Sequence, residues 1–465
     1  MKLTRRRLLE GGVVTALGGF GIDRVVESLV DRPGRRARVA NRPLEQHVLQ
    51  NAKVVLDDGV EVLVPPLHHR LVTARLKVAE TPAALREASQ ALERVLGELD
   101  ATDLAVTVAW GAPYFRRYVP AQARREVPVD RRASAAGRRE VRVLEDAERF
   151  PSDPGDTILE HNDVAVLLRS DRLADLDDAQ QRVFDDLAEI FAITSIRKGF
   201  VGGGFGGEDS LPKRMAMDAG VRGGHLVPKT AQLFLGFTST VKRALGPPQI
   251  ANFETLGYAA LRSGYFVGGT HMHVSHIAEN LLAWYLNFDH GERVHAMFNP
   301  ELTVAAKTQT VRQAPEDVES VEGLHRDYAR FRRIGHSGAI QSASRLDRDI
   351  VGHDGTVYPK GTAVPLRADF NTLDNPFAWS ADPARDRMKD VPRAGVHFVA
   401  FNPTSDDFRR VRLAMDGVLP DGVRLELEAR SVGQGVNSVL RTTHRQNFLV
   451  PPRAHRSFPL SDLKA

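Results

Sequence analysis

Two hydrophobic periods alternate along the first half of the chain. Partly alternating apolar and polar residues predict strands in "VEVLVPPLHHRLVTARLKV", "LAVTVAWG", "DVAVLLRS" and "SIRKGFVG". Apolar residues at helical spacing predict helices in "TPAALREASQALERVLGEL", which begins with the capping residue Thr81, and in "AQQRVFDDLAEIFAI". The order strand, helix, strand therefore occurs twice, which is typical of an α+β fold with helices on one face of an antiparallel sheet.

The second half repeats this pattern more loosely. "TAQLFLGFT" and "GGTHMHVSHIAENLLAWYLNF" predict two strands and a helix, and "AGVHFVAFNPTSDDFRRVRLAMDGV" predicts a strand followed by a helix. A polar and basic stretch runs from Arg116 to about Asp156, and its dense basic run from Arg124 to Arg142 is interpreted as a solvated loop; residues 300–393 form a second, irregular stretch. The second of these is too long for a plain connection, so we expect functional residues in it.

Composition narrows the class of protein. The 465 residues include 42% apolar and 26% charged side chains, as in ordinary globular proteins, and the formal net charge is +4. Because acidic and basic residues are interspersed, the charge gives no reason to expect a nucleic-acid partner. The absence of cysteine excludes disulfides, thiolate nucleophiles, iron–sulfur clusters and cysteine-ligated zinc.

The N-terminus carries an export pattern. "TRRRLL", residues 4–9, precedes a mildly apolar, glycine-rich stretch from Gly11 to Ile22 that is too short to span a bilayer. This resembles a twin-arginine signal, which directs folded proteins to the twin-arginine export machinery. The alternative is a basic amphipathic helix. We expect residues 1–50 to form signal and linker, and the protein to be extracytoplasmic or tethered to the membrane.

A glycine-rich segment, "VGGGFGGEDS", has dinucleotide-loop spacing at Gly202, Gly204 and Gly207. Such a loop requires a helix that opens at the last glycine, and Pro212 follows too closely for a helix continuing through it. The sequence therefore predicts a turn with no helix after it.

Three histidines form a candidate metal site in "THMHVSH". His271 and His273 would point to the same face of a strand, with His276 nearby and Glu279 as a further ligand. Zinc, manganese or non-haem iron would suit such a set. The alternative is that these histidines belong to an ordinary strand.

Six segments, in the same order, resemble motifs of the dye-decolourising (Dyp-type) peroxidases. They are "LAVTVAWGAPYF", "ERFPSDPGDTILEHNDVAVLLRSD", "GFGGEDSLPK", "LVPKTAQLFLGF", "GGTHMHVSHI" and "AGVHFVAFNPTSDDFRRVRLAM". The chain thus resembles a divergent member of that superfamily from about Val60 to Gly417. The resemblance implies two ferredoxin-like halves, at 51–240 and 241–465, of the dimeric α/β-barrel type, with antiparallel sheets and helices packed on the outside.

The resemblance also implies function. It implies bound haem b and a peroxidase that reduces hydrogen peroxide and oxidises small organic reductants, and it leaves a homo-oligomer open. Two alternatives remain: a non-catalytic relative that has kept the fold, and a metal-binding protein that uses His271, His273 and His276.

The same resemblance implies site residues. The family's G-x-x-D-G motif matches Gly206 to Ser210, so Asp209 is the implied catalytic acid, with serine in place of the final glycine. Strict register puts Ala339 at the iron-ligand position, and His336, three residues earlier, is the candidate ligand. The candidates for the distal arginine are Arg367 first and Arg345 second, and Asn371 is a candidate hydrogen-bond donor.

Overall fold

Eight strands close into an antiparallel barrel in the computed structural model. The structure describes residues 35–36, 44–47, 53–57, 60–137, 139–202, 210–237, 250–252, 258–301, 320–374 and 392–464. In chain order the barrel strands are β1 (His68–Leu76), β2 (Ala105–Gly111), β3 (Val164–Ser170), β4 (Phe191–Phe200), β5 (Thr270–Glu279), β6 (Phe370–Leu373), β7 (Ala394–Asn402) and β8 (Leu440–Val450).

The order of the strands confirms the two ferredoxin-like halves. The first half runs β4-β1-β3-β2 and the second runs β8-β5-β7-β6, so the fourth strand of each half lies beside its first. The halves join through β4 with β6, where Asn371 pairs with Phe200, and through β2 with β8, where Trp110 pairs with Leu449. Closure leaves neither half with an unpaired sheet edge at these seams.

Both faces of the barrel strands are buried. One set of side chains, including Leu71, Leu167, Met272, Val399 and Phe448, packs together in a single core. Neighbouring strand residues such as Val72, Val106 and Val166 pack with helix Pro82–Leu99 in another core. Strands β2 and β3 therefore show near-continuous apolar runs with only partial alternation, because a barrel covered by helices leaves little strand surface for water.

Helices cover the outside of the barrel, as expected. They are α1 (Pro82–Leu99), α2 (Ala112–Tyr118), α3 (Pro120–Glu126), α4 (Arg131–Gly137), α5 (Leu173–Gln180), α6 (Leu211–Asp218), α7 (Leu281–Leu286), α8 (His290–Met297), α9 (Val321–Phe331), α10 (His336–Ala343) and α11 (Ser405–Met415). Shorter strands lie at Arg35–Arg36, Lys53–Asp57, Val60–Val64, Ile158–Leu159, Ile250–Asn252, Ile350–Val351, Val357–Tyr358 and Leu366–Arg367, and short helical turns at Gln181–Asp185, Gly224–Leu226, Val432–Ser438 and Arg453–His455.

Several predicted elements are wrong in detail. Residues 124–142, interpreted as a solvated loop, contain the end of α3 and the whole of α4. The helix predicted over 179–193 begins earlier, as α5, and ends in a π turn before β4 starts at Phe191. Residues 230–237, predicted as strand, form turns instead. Local apolar spacing could not distinguish helix from strand in these segments, because short apolar runs are compatible with both.

The glycine-rich segment is followed by a helix, contrary to expectation. Helix α6 begins at Leu211, and the Ser210 side chain accepts a hydrogen bond from the Lys213 backbone N–H at 3.2 Å. Pro212 lies in the first turn, where a helix needs no backbone N–H from it. Ser210 has a φ of −60°, so serine adopts this backbone without strain.

Two further sequence predictions lie outside the described residues. The twin-arginine segment, residues 4–9, is one of them, and the boundary predicted between residues 240 and 241 is the other. Within the part of the chain that the structure describes, no helix combines the length and apolar character needed to cross a bilayer.

Candidate functional site

A cavity of about 210 Å³ lies between the sheet of the second half and the helices that cover it. Residues of β5, β7 and β8 form one wall, and residues of α10 and α11 form the other. Most of the lining is apolar, with Phe298, Phe398 and Phe408 among the larger side chains. A few charged or titratable groups converge on this apolar space, which is the usual composition of a cofactor or substrate site.

His336 is the first residue of α10 and lines the cavity. The preceding residue must be glycine, because a Cβ on Gly335 would lie 2.1 Å from the Phe298 carbonyl oxygen. The close approach is fixed by a hydrogen bond from the Gly338 N–H to that same oxygen, at 2.9 Å. The backbone contact with Phe298 thus places the imidazole at the cavity wall.

The His336 imidazole is neutral at ordinary pH. Burial, together with the positive charges of Arg367 and Arg412, lowers its pKa to about 4. Its Nδ1 atom is buried and has no hydrogen-bond partner among the described residues. A neutral imidazole is the form that ligates metal ions, so His336 is chemically suited to do so.

Arg367 and Asp369 line the cavity together. Arg367 Nη1 lies 3.3 Å from Asp369 Oδ2, and Asp369 Oδ1 accepts a hydrogen bond from the Val399 N–H at 3.1 Å. Burial raises the pKa of Asp369 to about 6, although Arg367 acts in the opposite direction. The pair therefore offers a permanent cation next to a carboxyl that changes protonation in the mildly acidic range.

Glu279, at the end of β5, is a second carboxyl on the cavity wall. It is buried, and its Oε2 atom has no hydrogen-bond partner in the described part of the chain. Burial, together with the charges of Asp369 and Asp374, raises its pKa to about 8. The Glu279 carboxyl is therefore protonated at neutral pH.

Two buried arginines complete the charged part of the lining. Arg445 Nη2 donates to Asp153 Oδ1 at 2.7 Å, and Arg412 Nη1 donates to Asp416 Oδ1 at 2.7 Å. Burial alone would raise the pKa of Asp153, but the charge and hydrogen bonds of Arg445 hold it below its ordinary value. These ion pairs bring two cations to the cavity with their own counter-charges.

The structure brings His336 and Arg367 to one cavity but places Arg345 and Asn371 elsewhere. Asn371 donates to the carbonyl oxygens of Phe200 and Gln232 and accepts from the Phe234 N–H. Its amide is thus engaged by backbone and holds the segment whose Leu233 and Leu235 line the cavity.

Arg345 is likewise outside the cavity lining. Its Nη1 donates to the Gly361 carbonyl oxygen at 3.2 Å, and burial lowers its pKa to about 10. The other two implied site residues, Asp209 and Gly206, lie outside the described residues.

The structure does not bring the three histidines together as a metal site. His276 Nε2 lies 2.9 Å from Asp374 Oδ1, and its Nδ1 lies 2.6 Å from Thr443 Oγ1. His273 Nδ1 lies 2.7 Å from Asn447 Oδ1, and its ring stacks on Phe408 of the cavity wall. Within the described ranges no group of three His, Cys, Asp or Glu side chains could hold a metal ion. The physical reason is the pleat, because residues 273 and 276 of one strand face opposite sides.

Sequence reasoning missed Asp369, Arg412 and Arg445. Asp369 had a usable signal, because it follows Arg367 at a spacing of two, the period of an extended segment. Arg412 had a local signal as well, because Asp416 follows it at a spacing of four, one helical turn away. Arg445 had none, because its partner Asp153 is distant in sequence.

Solved structures with a similar fold are peroxidases. A crystal structure of a DyP-type peroxidase from Cellulomonas bogoriensis matches with a TM-score of 0.50 and 17% identity, over 83% of this chain and 90% of that one. A DyP-type peroxidase from Streptomyces coelicolor matches with a TM-score of 0.50 and 16% identity, over 91% and 95% of the two chains. At such identity the likeness supports the fold and no more.

Sequence comparison is less specific about function. No curated protein matches this chain. The model of the family described as "Family of unknown function (DUF7405)" matches residues 66–452, and the chain therefore belongs to that family.

Proposed function

We propose that this chain is a haem-dependent peroxidase of the dye-decolourising type, which reduces hydrogen peroxide and oxidises an organic reductant. The observation that carries the proposal is the cavity in which His336 and Arg367 lie together. The fold relatives, both DyP-type peroxidases, add support.

The residues of the cavity fit haem b. His336 would hold the haem iron, since its ring is neutral and its buried Nδ1 has no protein partner among the described residues. Aromatic and aliphatic side chains, among them Phe298, Phe398 and Ile340, would pack on a flat apolar ring. Bound haem would supply the electron-transfer chemistry that peroxide reduction requires.

Arg367 and Asp369 would stabilise the charge and transfer the protons of the reaction. Reducing one peroxide to two waters consumes two protons and two electrons, and cleavage of the oxygen–oxygen bond leaves negative charge on the departing oxygen. The Arg367 guanidinium would stabilise that charge with N–H donors that are already in place. Asp369 holds this guanidinium through Oδ2, and its carboxyl, whose pKa is about 6, would accept and release a proton in the mildly acidic range. Asp209 remains the acid that the family resemblance proposes.

Haem binding is the decisive experiment. Full-length protein, purified and reconstituted with haem b, should show a Soret absorption band, and His336→Ala should lose the band or shift it. His225→Ala, which removes an exposed histidine, is the matched control and should leave the spectrum unchanged. A wild-type protein without a Soret band after reconstitution would instead be a relative that has kept the fold without the cofactor.

Export by the twin-arginine route is part of the proposal. The "TRRRLL" segment supports it. Replacement of Arg5 and Arg6 by lysine should keep the protein in the cytoplasm, as measured by cell fractionation. Unchanged export of that variant would favour an amphipathic helix that plays no part in transport.

A further inference from the structure

A second pocket, of about 460 Å³, shares a wall with the cavity. Glu279 and Leu440 line both spaces. The carboxyl of Glu279 is therefore buried between the cavity and the second pocket, and its Oε2 has no protein partner among the described residues.

Four arginines surround the second pocket, hereafter the arginine pocket. They are Arg222, Arg393, Arg430 and Arg441, and Glu279 is the one acidic residue in the lining. Two of the arginines have counter-charges: Arg393 lies 3.0 Å from Asp374, and Arg441 lies 2.7 Å from Asp156. No ion pair within the described part of the chain joins Arg222 or Arg430 to a carboxylate. The pocket thus carries an excess of positive charge.

The chain uses two unusual backbone conformations to present the unpaired arginines. Gly223 has a φ of +82°, and a Cβ there would lie 2.9 Å from the Leu282 backbone nitrogen, so only glycine lets Arg222 come this close to α7. Arg430 itself has a φ of +61°, which is uncommon for a residue with a side chain. A strained residue at a pocket rim is often retained because it positions a group that binds something.

Apart from Asn280 and Ser438, the rest of the arginine pocket is apolar. Val221, Leu281, Leu282, Pro392 and Val439 contribute to its lining. A small inorganic ion would leave these side chains without a partner, whereas an organic molecule would contact them and the guanidinium groups together.

We propose that the arginine pocket binds an organic anion, an oxyanion group carried on an apolar body. The guanidinium groups of Arg222 and Arg430 would hold the oxyanion through paired N–H donors. The protonated Glu279 carboxyl would donate a further hydrogen bond from the base of the pocket. The site does not depend on haem, although an occupant would lie against the wall of the haem cavity.

A matched pair of probes tests the proposal. 8-Anilinonaphthalene-1-sulfonate and N-phenyl-1-naphthylamine have the same apolar rings, but only the first carries an oxyanion. Isothermal titration calorimetry on the full-length protein, with and without reconstituted haem, should show one-to-one binding of the sulfonate, at least tenfold tighter than binding of the neutral amine. Binding should weaken as salt is raised, because exposed charges are screened.

Substitutions locate the site. Arg222→Gln and Arg430→Gln should each weaken sulfonate binding by about tenfold, the typical loss for a charge-assisted hydrogen bond. Arg86→Gln, an exposed arginine on α1, is the matched control and should leave the affinity unchanged.

Three outcomes would overturn the proposal: equal affinity for the two probes, unchanged affinity in Arg222→Gln and Arg430→Gln, or sulfonate binding that haem abolishes. The last of these would place the probe in the haem cavity. Absence of a Soret band, in contrast, would remove the peroxidase proposal and leave the arginine pocket intact, so the two failures are distinguishable.

Discussion

Arg367 and Asp369 form an ion pair on the wall of the cavity, with Arg367 Nη1 at 3.3 Å from Asp369 Oδ2. The side chain of Asp369 is almost completely buried, and that of Arg367 is 18% exposed. The other carboxylate oxygen of Asp369, Oδ1, accepts a hydrogen bond from the Val399 N–H. The backbone thus orients the carboxylate, and the carboxylate orients the guanidinium towards the cavity.

Removal of the Arg367 charge should impair peroxide turnover. If the guanidinium stabilises charge that develops during oxygen–oxygen cleavage, Arg367→Gln should lower peroxide-dependent oxidation by roughly 100-fold. Steady-state kinetics with a one-electron dye would measure the effect. Arg345→Gln, at a partly buried arginine outside the cavity, should leave turnover near the wild-type value. Equal losses in both variants would show that the effect is structural.

Asp369 should determine the pH dependence of the same reaction. Its pKa is raised to about 6 by burial, so the proton-accepting form becomes dominant as the pH rises past that value. The rate should therefore increase with pH around pH 6 in the wild type, and Asp369→Asn should lose this rise. A pH–rate profile of the variant that retains the wild-type inflection would assign it to another group.

Glu279 should make stability depend on pH. Its pKa in the folded protein is about 8, against an ordinary value of 4.5, so between these values the folded chain holds a proton that the unfolded chain has released. The free energy of unfolding should therefore fall as the pH rises from 4.5 to 8, by on the order of a few kcal/mol. Urea unfolding at pH 5 and pH 8 would measure this dependence. The free energy of unfolding of Glu279→Gln, relative to that of the wild type, should be higher at pH 8 than at pH 5. Glu87→Gln, on the exposed face of α1, should show no such trend.

Two ion pairs of equal length should differ in their contribution to stability. Asp153 lies 2.7 Å from Arg445 in the buried site, and Asp146 lies 2.7 Å from Arg116 on the surface. Asp153→Ala leaves a buried arginine without its partner and should cost about 3–5 kcal/mol, whereas Asp146→Ala should cost about 0–1 kcal/mol. Chemical denaturation of both variants measures the difference. Similar losses would mean that burial does not control the strength of these pairs.

The glycine before α10 should be irreplaceable. Gly335→Ala would place a Cβ 2.1 Å from the Phe298 oxygen, so α10 must shift, and with it His336. We expect a lower melting temperature and weaker haem binding. Gly97→Ala, in helix α1 with no atom within 4 Å of the added Cβ, should be neutral or stabilise by up to about 1 kcal/mol. A Gly335→Ala protein with wild-type melting would contradict the tight backbone contact.

Local patterns predicted much of the secondary structure. Thr81 caps α1 as its sequence indicates, and the strands at His68–Leu76, Ala105–Gly111 and Val164–Ser170 lie in the predicted segments. The helix after Ser210 was missed because the proline rule applies to helix interiors and Pro212 lies in the first turn. Strand β8 was missed because "LRTTHRQNFLV" is rich in polar residues that become buried only between two partner strands.

The sequence, through the resemblance of its ordered motifs to a known family, implied the two ferredoxin-like halves and the choice of His336 and Arg367 as candidate residues. Tertiary structure alone decided which polar side chains meet. Asn371 and Asp369 are both plausible partners of Arg367 by position, yet backbone groups of the neighbouring strand and loop occupy Asn371, and only Asp369 faces the cavity. His273 and His276 likewise separate to opposite faces of β5. The reason is physical: closure of the barrel sets which face of each strand is interior, and no local period in the sequence records that choice.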